Sequence, residues 1–389
     1  MRIACVHQGY ELYGSDRSFA ESVAALSTAY LGAEIDVVLP RSGPIVSLLE
    51  ESATRIAFEP LWVLRRRSIL RLATAGIARL PAALARAARR LHGSDLVYIN
   101  TSVILDHMLA ARFFRNKALL HIHEIPEGVA LKILRTIVLW SGAEIIFNSQ
   151  ATRTAFALPA HMRTHVVYNG VAGPSAPEPM TYDGQRPLRL LMLGRINWNK
   201  GQEILLEAIA RLPLEVRQRL ELRIVGSAFE NAERERTLAA LVAEMNLTGQ
   251  VGIEPFIPEA SPLYRWADVV AVPSRRSESL GRVAIEAMAF GRPPIVSAIG
   301  GLMEVVEDAH TGWLVSPGDA SALAERLRAI IENPSAWRSF PAAARARYEA
   351  LFNEKTAASA IVAIAAAKLC RSTSPSSTGK GAPVTPDAR

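Results

Sequence analysis

Two carboxylates, Glu278 and Glu286, have the spacing in this chain that most suggests chemistry. Seven residues separate them, and an apolar helical pattern begins between them and ends before Gly291. A helix N-terminus presents unpaired backbone N–H groups and partial positive charge, which suits a phosphate group. Carboxylates bind phosphate poorly but accept hydrogen bonds from sugar hydroxyls. This short element could therefore hold the phosphate, ribose and hexose of a nucleotide sugar, unless it is an ordinary packed helix with both glutamates in solvent.

Two cations follow another predicted strand. The run Gly194-Arg195-Ile-Asn-Trp-Asn-Lys200-Gly201 comes after Leu188–Leu193 and opens a helical pattern. A diphosphate leaving group gains negative charge as its bond to the sugar breaks, so fixed cations stabilise the transition state more than the ground state. Arg195 offers a planar fork of donors and Lys200 a point charge. The chain contains no Asp-x-Asp pair, so these cations predict metal-independent chemistry; the alternative is two surface cations at a turn.

A histidine pair closes a predicted strand at Ala118–His123. His121 and His123 point to the same side of such a strand, but no third ligand at suitable spacing accompanies them, so we predict no metal site. His121 lies deeper in the strand and is expected to be a satisfied core histidine. His123 lies at the strand end, where ligands bind in parallel sheets.

The elements that must position these residues are short apolar strands alternating with helices, in two series. The first series comprises Ile3–His7, Ile35–Leu39, Leu96–Ile99, Ala118–His123, Ile145–Asn148 and His165–Tyr168. The second comprises Leu188–Leu193, Leu222–Val225, Val251–Ile253, Val269–Val272, Pro294–Ser297 and Gly312–Val315. Such alternation predicts parallel sheets covered on both faces. The expected fold is α/β, with two Rossmann-like domains facing across a cleft.

The expected boundaries follow composition. Residues 1–171 form an N-terminal domain, a Pro- and Gly-rich linker spans 172–185, and residues 186–351 form a C-terminal domain. A terminal helix at 352–370 is followed by a Ser-, Thr- and Pro-rich tail at 371–389 that is expected to be disordered.

The Glu-x7-Glu segment, with Pro273-Ser274 before it and Gly300-Gly301 after it, resembles the signature of retaining glycosyltransferases of family 4 (glycosyl transferases group 1), which have the GT-B fold. The Gly-Arg-x4-Lys-Gly run resembles a second element of that family. The resemblance implies a nucleoside-diphosphate sugar as donor, bound by the C-terminal domain, and an acceptor bound by the N-terminal domain. The resemblance implies no cofactor, metal or protein nucleophile. It implies attack on the leaving-group face, with a leaving phosphate oxygen taking the acceptor proton.

The resemblance also assigns roles to individual residues. Glu286 would bind ribose hydroxyls and Glu278 hexose hydroxyls, with His123 beside the donor sugar. Arg195 and Lys200 would stabilise the diphosphate. Backbone amides at three positions would also meet the diphosphate, namely Leu280, Gly281 and Arg282.

The first strand–helix turn departs from the family pattern. The family commonly has Gly-Gly-x-Glu there, whereas this chain has Gly14-Ser15-Asp16. Gly14 and Ser15 are still candidates for backbone contact with donor phosphate. Equally, Asp16 or Ser18 could simply cap the following helix.

Positive charge is concentrated in one segment of the N-terminal half. Eight arginines lie between Pro60 and Ser94 with no acidic residue, and they exceed the formal net charge of +7 for the whole chain; they are Arg65, Arg66, Arg67, Arg71, Arg79, Arg86, Arg89 and Arg90. Apolar residues recur among them at helical spacing, with Pro81 dividing two helical pieces. Such a helix could bind an anionic membrane through Arg65, Arg66, Arg67 and Arg71, or be a solvated face that also packs on the sheet. No aromatic residues interleave with the arginines, so nucleic acid is not an expected partner.

Composition excludes several classes of protein. Two cysteines in 389 residues do not make a disulfide framework and fit a reducing cytosol. No uninterrupted apolar stretch of transmembrane length occurs, so we expect a cytoplasmic protein, with attachment to the inner face of the membrane left open.

The predicted function is hexosyl transfer to a glycan or lipid-linked acceptor in envelope polysaccharide synthesis. A nucleotide-sugar epimerase of the same fold and an inactive scaffold subunit are the alternatives.

Overall fold

The computed structural model describes residues 1–12, 14–64, 75–228 and 232–373. The described strands are β1 (Arg2–His7), β2 (Glu34–Leu39), β3 (Arg55–Phe58), β4 (Leu96–Asn100), β5 (Ala118–Ile122), β6 (Glu144–Phe147), β7 (Thr164–Val166), β8 (Leu188–Leu193), β9 (Leu220–Val225), β10 (Val251–Glu254), β11 (Val269–Val272), β12 (Pro294–Ser297) and β13 (Trp313–Val315). The described helices of the N-terminal half are α1 (Gly14–Ala29), α2 (Val46–Leu49), α3 (Ala75–Gly93), α4 (Leu105–Ala111), α5 (Gly128–Ser141) and α6 (Gln150–Phe156). Those that follow are α7 (Gln202–Arg211), α8 (Leu214–Arg217), α9 (Ala232–Glu244), α10 (Ser261–Trp266), α11 (Arg282–Ala289), α12 (Leu302–Val305), α13 (Ala320–Glu332), α14 (Phe340–Leu351) and α15 (Glu354–Thr373).

The strands form two parallel sheets. The first has seven strands in the order β3-β2-β1-β4-β5-β6-β7, and the second has six in the order β10-β9-β8-β11-β12-β13. Helices cover both faces of each sheet, and each face has its own buried apolar cluster. The α/β prediction of two Rossmann-like domains is confirmed.

Most predicted strands occur within one or two residues of their expected bounds. Two strands and one helix differ from the prediction in detail. The sequence analysis missed β3, because this edge strand is half exposed and has no continuous apolar run. The last strand of the first sheet begins at Thr164 and ends at Val166, earlier than expected. Helix α3 runs through Pro81 instead of stopping there, although proline removes one backbone hydrogen bond from a helix interior.

The chain passes between the two halves at two adjacent points. Val171 N donates to the carbonyl of Phe352 at 2.9 Å, and the Tyr348 hydroxyl donates to the carbonyl of Val171 at 2.8 Å. After this second crossing, α15 packs against α1 and buries Ile361 and Ala365 in the apolar cluster of the first sheet. The C-terminal helix is therefore part of the N-terminal half of the molecule.

Candidate active site

The loop between β11 and α11 is held in place by close backbone contacts. Gly281, the residue before α11, has φ of 104°, and a Cβ there would lie 2.3 Å from Cδ2 of Leu302. A Cβ on Gly301 would lie 2.3 Å from the Ser279 carbonyl oxygen. Gly301 N donates to the Glu278 carbonyl at 2.8 Å. Glycine at these positions lets the segment after β12 pass directly against the loop that carries Glu278.

Glu278 is paired with one of the two predicted cations. Lys200 Nζ lies 2.7 Å from Oε1 of Glu278, and the Ser274 hydroxyl donates to the same oxygen. Burial would raise the pKa of Glu278, but Lys200 and Ser274 outweigh it and hold that pKa below its usual value. Glu278 is therefore an ionised carboxylate that accepts hydrogen bonds, which is the state required to bind sugar hydroxyls.

The loop after β8 brings Lys200 to this carboxylate. A short 3-10 turn covers Trp198–Lys200, and Lys200 N donates to the side-chain oxygen of Asn197 at 3.1 Å. Gly201 has φ of 78°, and a Cβ there would lie 2.1 Å from the carbonyl oxygen of Pro273. This contact packs the Lys200 loop against the segment that leads to Ser274.

Arg195 lies at the carboxyl end of β8 and is exposed. Its carbonyl accepts a hydrogen bond of 3.0 Å from Nε2 of Gln202, which is buried at the start of α7. The backbone at Arg195 is thus fixed to the same helix that follows Lys200.

Glu286 lies in a network that joins the two halves of the molecule. It accepts hydrogen bonds from the Tyr264 hydroxyl at 2.6 Å and from Nε of Arg282 at 2.9 Å. The same guanidinium reaches Oε1 of Glu21 on α1 at 2.9 Å. Burial would lower the pKa of Arg282, but the two carboxylates raise it above its ordinary value. Burial raises the pKa of Glu21, and burial followed by Glu286 raises that of Tyr264.

This network adds a role for Arg282 that its sequence position did not indicate. Only its backbone amide was predicted to act, at the start of α11 beside Leu280 and Gly281. Among the described residues, no side chain caps that helix. The Arg282 side chain instead links a helix of the first half to the predicted ribose-binding carboxylate.

His123 follows β5 directly, one residue after the strand ends, and is buried. Its Nε2 lies 2.7 Å from Oδ1 of Asn100 at the end of β4. Burial, with a smaller contribution from His7, lowers the pKa of His123 to about 3. The imidazole is therefore neutral near pH 7 and can exchange hydrogen bonds without carrying charge.

His121 was expected to be a satisfied core histidine, and this is only half correct. Its Nδ1 is hydrogen-bonded to the Tyr98 hydroxyl, but its Nε2 is buried without a partner among the described residues. Burial lowers its pKa well below the usual value. Within the described ranges, no three or more side chains come together in a way that could hold a metal ion. His121 and His123 therefore belong to no such group.

The first strand–helix turn contradicts one of the two interpretations given for it, namely that Asp16 or Ser18 caps the following helix. Gly14 and Ser15 begin α1, so their amides lie at a helix N-terminus. Asp16 and Ser18 lie inside that helix and do not precede it as caps. Asp16 is buried and bonds to Nε2 of His7 at 2.8 Å. Its carboxylate thus points toward β1.

The carboxyl ends of the two sheets face each other, with direct contacts across the cleft. Asn148 Nδ2 donates to Oγ of Ser279 at 3.1 Å. The amides of Gln150 and Ala151, in the first turn of α6, donate to Glu304 at 2.8 and 2.6 Å. The loop that precedes α11 is therefore anchored on the first half as well as on the second.

The basic segment is described only in part. Arg65, Arg66, Arg67 and Arg71 lie outside the described residues. On α3, Arg90 pairs with Glu59 at 2.7 Å, and Arg86 donates to the carbonyl of Pro60 at 3.1 Å. These two arginines pack against the N-terminal domain. Their contacts agree with the alternative in which the segment is a solvated helix face that also packs on the sheet.

Within the part of the chain that the structure describes, no helix is long and apolar enough to cross a bilayer.

Several residues of the site were not identified from sequence. Ser274 was quoted only as part of a motif. The residues that were missed are Glu21, Tyr264, His7 and Asn100. His7 and Asn100 end β1 and β4, and their position at strand ends was a signal available in the sequence.

The chain is similar to known glycosyltransferases in sequence and in fold. Residues 184–347 match the family described as glycosyl transferases group 1. A D-inositol 3-phosphate glycosyltransferase of Nocardioides is 42% identical over 156 residues, which is 37% of this chain and 34% of that protein. The chain thus aligns with about a third of the length of this curated relative.

Solved structures match nearly the whole chain. HepE of Anabaena, crystallised in complex with UDP and glucose, has a TM-score of 0.77 at 23% identity and covers 94% of this chain and 99% of its own. Sucrose-phosphate synthase of Thermosynechococcus elongatus has a TM-score of 0.73 at 23% identity, with 95% and 100% covered. These structures show that the fold is GT-B, and residues 184–347 are similar to the glycosyl transferases group 1 family.

Proposed function

We propose that this protein is a retaining glycosyltransferase that takes a hexose from a nucleoside-diphosphate sugar. The observation that carries the proposal is the contact of Lys200 with the ionised carboxylate of Glu278, on the loop that opens α11. This geometry lies within the region that matches the family. The complexes of HepE with UDP and with UDP-glucose support a donor of this class.

In the proposed complex each residue has a distinct task. Glu278 accepts hydrogen bonds from hexose hydroxyls, and Glu286 accepts them from the ribose. The diphosphate binds the amides at Leu280, Gly281 and Arg282, near Gly14 and Ser15 of the facing helix. Lys200 and Arg195 balance its growing charge.

The proposed reaction needs no protein nucleophile. The bond from the anomeric carbon to the diphosphate oxygen breaks, and the acceptor oxygen forms its bond to that carbon on the same face. The acceptor proton passes to the leaving phosphate oxygen. His123 is neutral near pH 7, so it would orient a hydroxyl and would not supply a proton.

A panel of nucleoside-diphosphate sugars tests the donor. We expect one or a few members to raise the thermal melting temperature and to be hydrolysed slowly, since water can replace a missing acceptor. An isomerised sugar without acceptor would instead indicate an epimerase. Stabilisation without turnover in the presence of acceptor extracts would indicate a binding subunit.

Metal independence is a further part of the proposal. It rests on the two cations, Arg195 and Lys200, which supply the charge that a divalent ion would otherwise provide. We expect full activity in excess EDTA with the donor identified by the panel. Activity that disappears and returns on addition of Mn²⁺ or Mg²⁺ would contradict this.

The acceptor is proposed to be a glycan or lipid-linked acceptor of the cell envelope, presented at a membrane surface. Helices α3, α4 and α5 cover one face of the first sheet. The outer side of this layer carries exposed apolar side chains, with exposed fractions of 78% for Phe113, 72% for Val129 and 50% for Trp140. Exposed Lys132 lies on the same helix as the last two. Apolar side chains beside cations suit an anionic membrane.

Binding to vesicles tests this surface. The protein is expected to sediment with anionic vesicles at low salt and to dissociate as salt rises, because screening weakens surface attraction. Replacing Arg65, Arg66, Arg67 and Arg71 by glutamine should reduce sedimentation without changing donor affinity. Trp140→Ser should also reduce it. Leu31→Ser is the matched control, because Leu31 is 90% exposed just beyond α1, on the other face of the sheet. Equal sedimentation of all variants and wild type would contradict a membrane role.

A soluble phosphorylated cyclitol is the second acceptor candidate, favoured by the name of the Nocardioides relative. The two candidates separate in a direct competition. Transfer to inositol 3-phosphate in free solution, unaffected by vesicles, would favour the cyclitol. Transfer that requires a lipid-linked glycan in vesicles would favour the membrane acceptor.

A further inference from the structure

The side chain of Arg282 lies between two carboxylates that belong to different halves of the molecule. Its Nη2 donates to Oε1 of Glu21 at 2.9 Å, and its Nη1 reaches Oε2 of Glu21 at 3.4 Å. Its Nε donates to Oε1 of Glu286 at 2.9 Å. Glu21 lies on α1 of the first half, whereas Arg282 and Glu286 lie one turn apart on α11 of the second. One guanidinium therefore links the predicted ribose-binding carboxylate to the facing half.

The contact with Glu21 determines how this guanidinium is turned. A guanidinium is a rigid planar fork, so directing both Nη atoms at one carboxylate also sets the direction of Nε. That direction is toward Glu286. Without Glu21, Arg282 and Glu286 would be a pair at positions i and i+4 of one helix, which is weak and leaves a long side chain several rotamers. Glu21 removes most of that freedom.

Helix α1 also lies against the stem of Arg282. A Cβ on Gly14 would lie 3.6 Å from Cδ of Arg282, which is an ordinary van der Waals distance. Gly14 and Glu21 are seven positions apart, so they share one face of α1. The side chain of Arg282 is 17% exposed. One face of α1 thus contacts both the aliphatic and the charged part of this arginine.

The second oxygen of Glu286 is held by a hydroxyl with a fixed position. Tyr264 donates to Oε2 of Glu286 at 2.6 Å. Its ring is buried and stacks on Phe290, with the ring centroids 5.3 Å apart. Each oxygen of Glu286 therefore accepts one hydrogen bond from the protein. A carboxylate has about four acceptor sites, so about two remain for ribose hydroxyls. The side chain of Glu286 is 24% exposed, so part of it is open to a ligand.

The charges of this cluster balance only with all three groups present. Burial would lower the pKa of Arg282, but Glu21 and then Glu286 raise it above its ordinary value. Burial raises the pKa of Glu21, and Arg282 opposes that shift. Without the Glu21 carboxylate, the fork of Arg282 would have only Glu286 as a partner. It could then turn toward both oxygens of Glu286 and occupy acceptor sites that a ribose needs.

We propose that Glu21 is a positioning residue of the donor site. It holds the Arg282 fork on the first half, so that Arg282 gives Glu286 a single hydrogen bond and leaves the remaining lone pairs to ribose hydroxyls. The ribose contact rests on the proposed function, whereas the orientation of Arg282 by Glu21 does not. Because Glu21 comes from the facing half, contact between the halves and binding of ribose should favour each other.

The orientation of Arg282 can be measured without any ligand. Two-dimensional NMR of protein labelled with ¹⁵N-arginine resolves the Nη hydrogens where rotation of the guanidinium is hindered, and Arg282→Lys assigns the signals. We expect resolved Nη signals from Arg282 in the wild type, at positions that change in Glu21→Gln, which removes the charge and keeps the shape. A freely rotating guanidinium in the wild type, or unchanged signals in Glu21→Gln, would overturn the proposal.

Calorimetric titration with two nucleotides then tests the ribose contact. The probes are the nucleoside diphosphate whose base the donor panel identifies and its 2′,3′-dideoxy analogue, which lacks both hydroxyls that Glu286 could bind. Glu21→Gln should weaken binding of the first about tenfold, the scale of one hydrogen bond to a charged group, and change binding of the second by less than about twofold.

A contact that only holds the halves together predicts a different pattern. Looser halves would weaken both nucleotides by the same factor, because both contain the diphosphate that is proposed to bind between the halves. Equal weakening would therefore contradict the positioning role, and so would unchanged affinity for the ribonucleotide. Melting temperatures establish that Glu21→Gln is folded.

The matched control is Glu127→Gln, which removes another ion pair between the halves. Oε2 of Glu127 lies 3.1 Å from Nη1 of Arg276, on the loop that carries Glu278. This variant should leave the Arg282 signals and the ratio of the two dissociation constants as in the wild type. A change in that ratio as large as the one in Glu21→Gln would overturn the specific role of Glu21.

The outcomes separate this inference from the proposed function. If no nucleoside diphosphate binds the wild type, the proposed function fails and the ribose contact fails with it, while the NMR result still decides whether Glu21 orients Arg282. If the wild type binds both nucleotides equally well, the role of Glu286 fails. If the wild type and Glu21→Gln prefer the ribonucleotide by the same factor, the positioning role fails alone.

Discussion

Replacing Lys200 by alanine is expected to lower kcat by about 10²-fold or more. The Lys200 ammonium lies 2.7 Å from Glu278, at the loop that is proposed to hold the sugar and diphosphate. Its charge matters most when the diphosphate leaves, so the loss should fall on kcat more than on donor affinity. Steady-state kinetics with the donor from the panel measures this. Arg195→Ala is expected to act in the same direction.

The matched control is Arg211→Ala, which removes a cation from the same domain. Arg211 is half exposed on α7 and pairs only loosely, at 3.7 Å, with Glu207. It should change neither kcat nor KM. Near-wild-type turnover in both Lys200→Ala and Arg195→Ala would contradict the assigned roles, provided that melting temperatures show folded protein.

Replacing Glu144 by glutamine is expected to lower the free energy of unfolding by about 3 kcal/mol, the scale for breaking a buried ion pair. Glu144 begins β6 and accepts from Arg371 at 2.7 Å. Lys368 lies 3.4 Å away, and each side chain of this pair is 5% exposed. Burial lowers the pKa of Lys368, so its ammonium depends on this carboxylate. The change would therefore leave a buried charge without its partner and loosen α15 from the first sheet.

The same carboxylate should make stability depend on pH. Burial would raise the pKa of Glu144, but His165, Lys368 and Arg371 together lower it from 4.5 to about 2. Its contribution is therefore complete above the unfolded pKa of 4.5 and is lost as the pH falls toward 2. Denaturant unfolding at several pH values should show a shallower loss below pH 4.5 in Glu144→Gln than in wild type.

A surface pair provides the control for this experiment. Glu34 accepts from Arg2 at 2.7 Å, but both side chains are at least 50% exposed. Exposed pairs contribute little, so Glu34→Gln should change stability far less than Glu144→Gln does. Equal effects of the two substitutions would show that the Glu144 cluster does not anchor the C-terminal helix.

The strands were predictable from sequence because parallel strands are buried on both faces and appear as continuous apolar runs. Val269–Val272 and Pro294–Ser297 occur with the expected bounds. The edge strand Arg55–Phe58 was missed because it is partly exposed and therefore has no continuous apolar run in its sequence. Pro81 was misinterpreted because packing of α3 on the sheet outweighs the local cost of proline in a helix.

The part of the site that lies along the chain was also predictable. Glu278 and Lys200 each follow a strand of the second sheet, and neighbouring strand ends converge in parallel sheets. Contacts between distant segments carried no local signal. Arg282 reaches Glu21 across 261 positions of sequence, and Asn100 joins two histidines from different strands. Spacing within a motif cannot indicate such contacts.

The central claim is a transfer that retains configuration at the anomeric carbon. The direct test is time-resolved ¹H NMR of the reaction between the identified donor and its acceptor. A donor with an α-linked diphosphate should give an α-linked product from the first turnovers, with about 10²-fold less product from the Lys200→Ala variant over the same time. A β-linked product from that donor would contradict the account, because it would require attack on the face opposite to the leaving diphosphate.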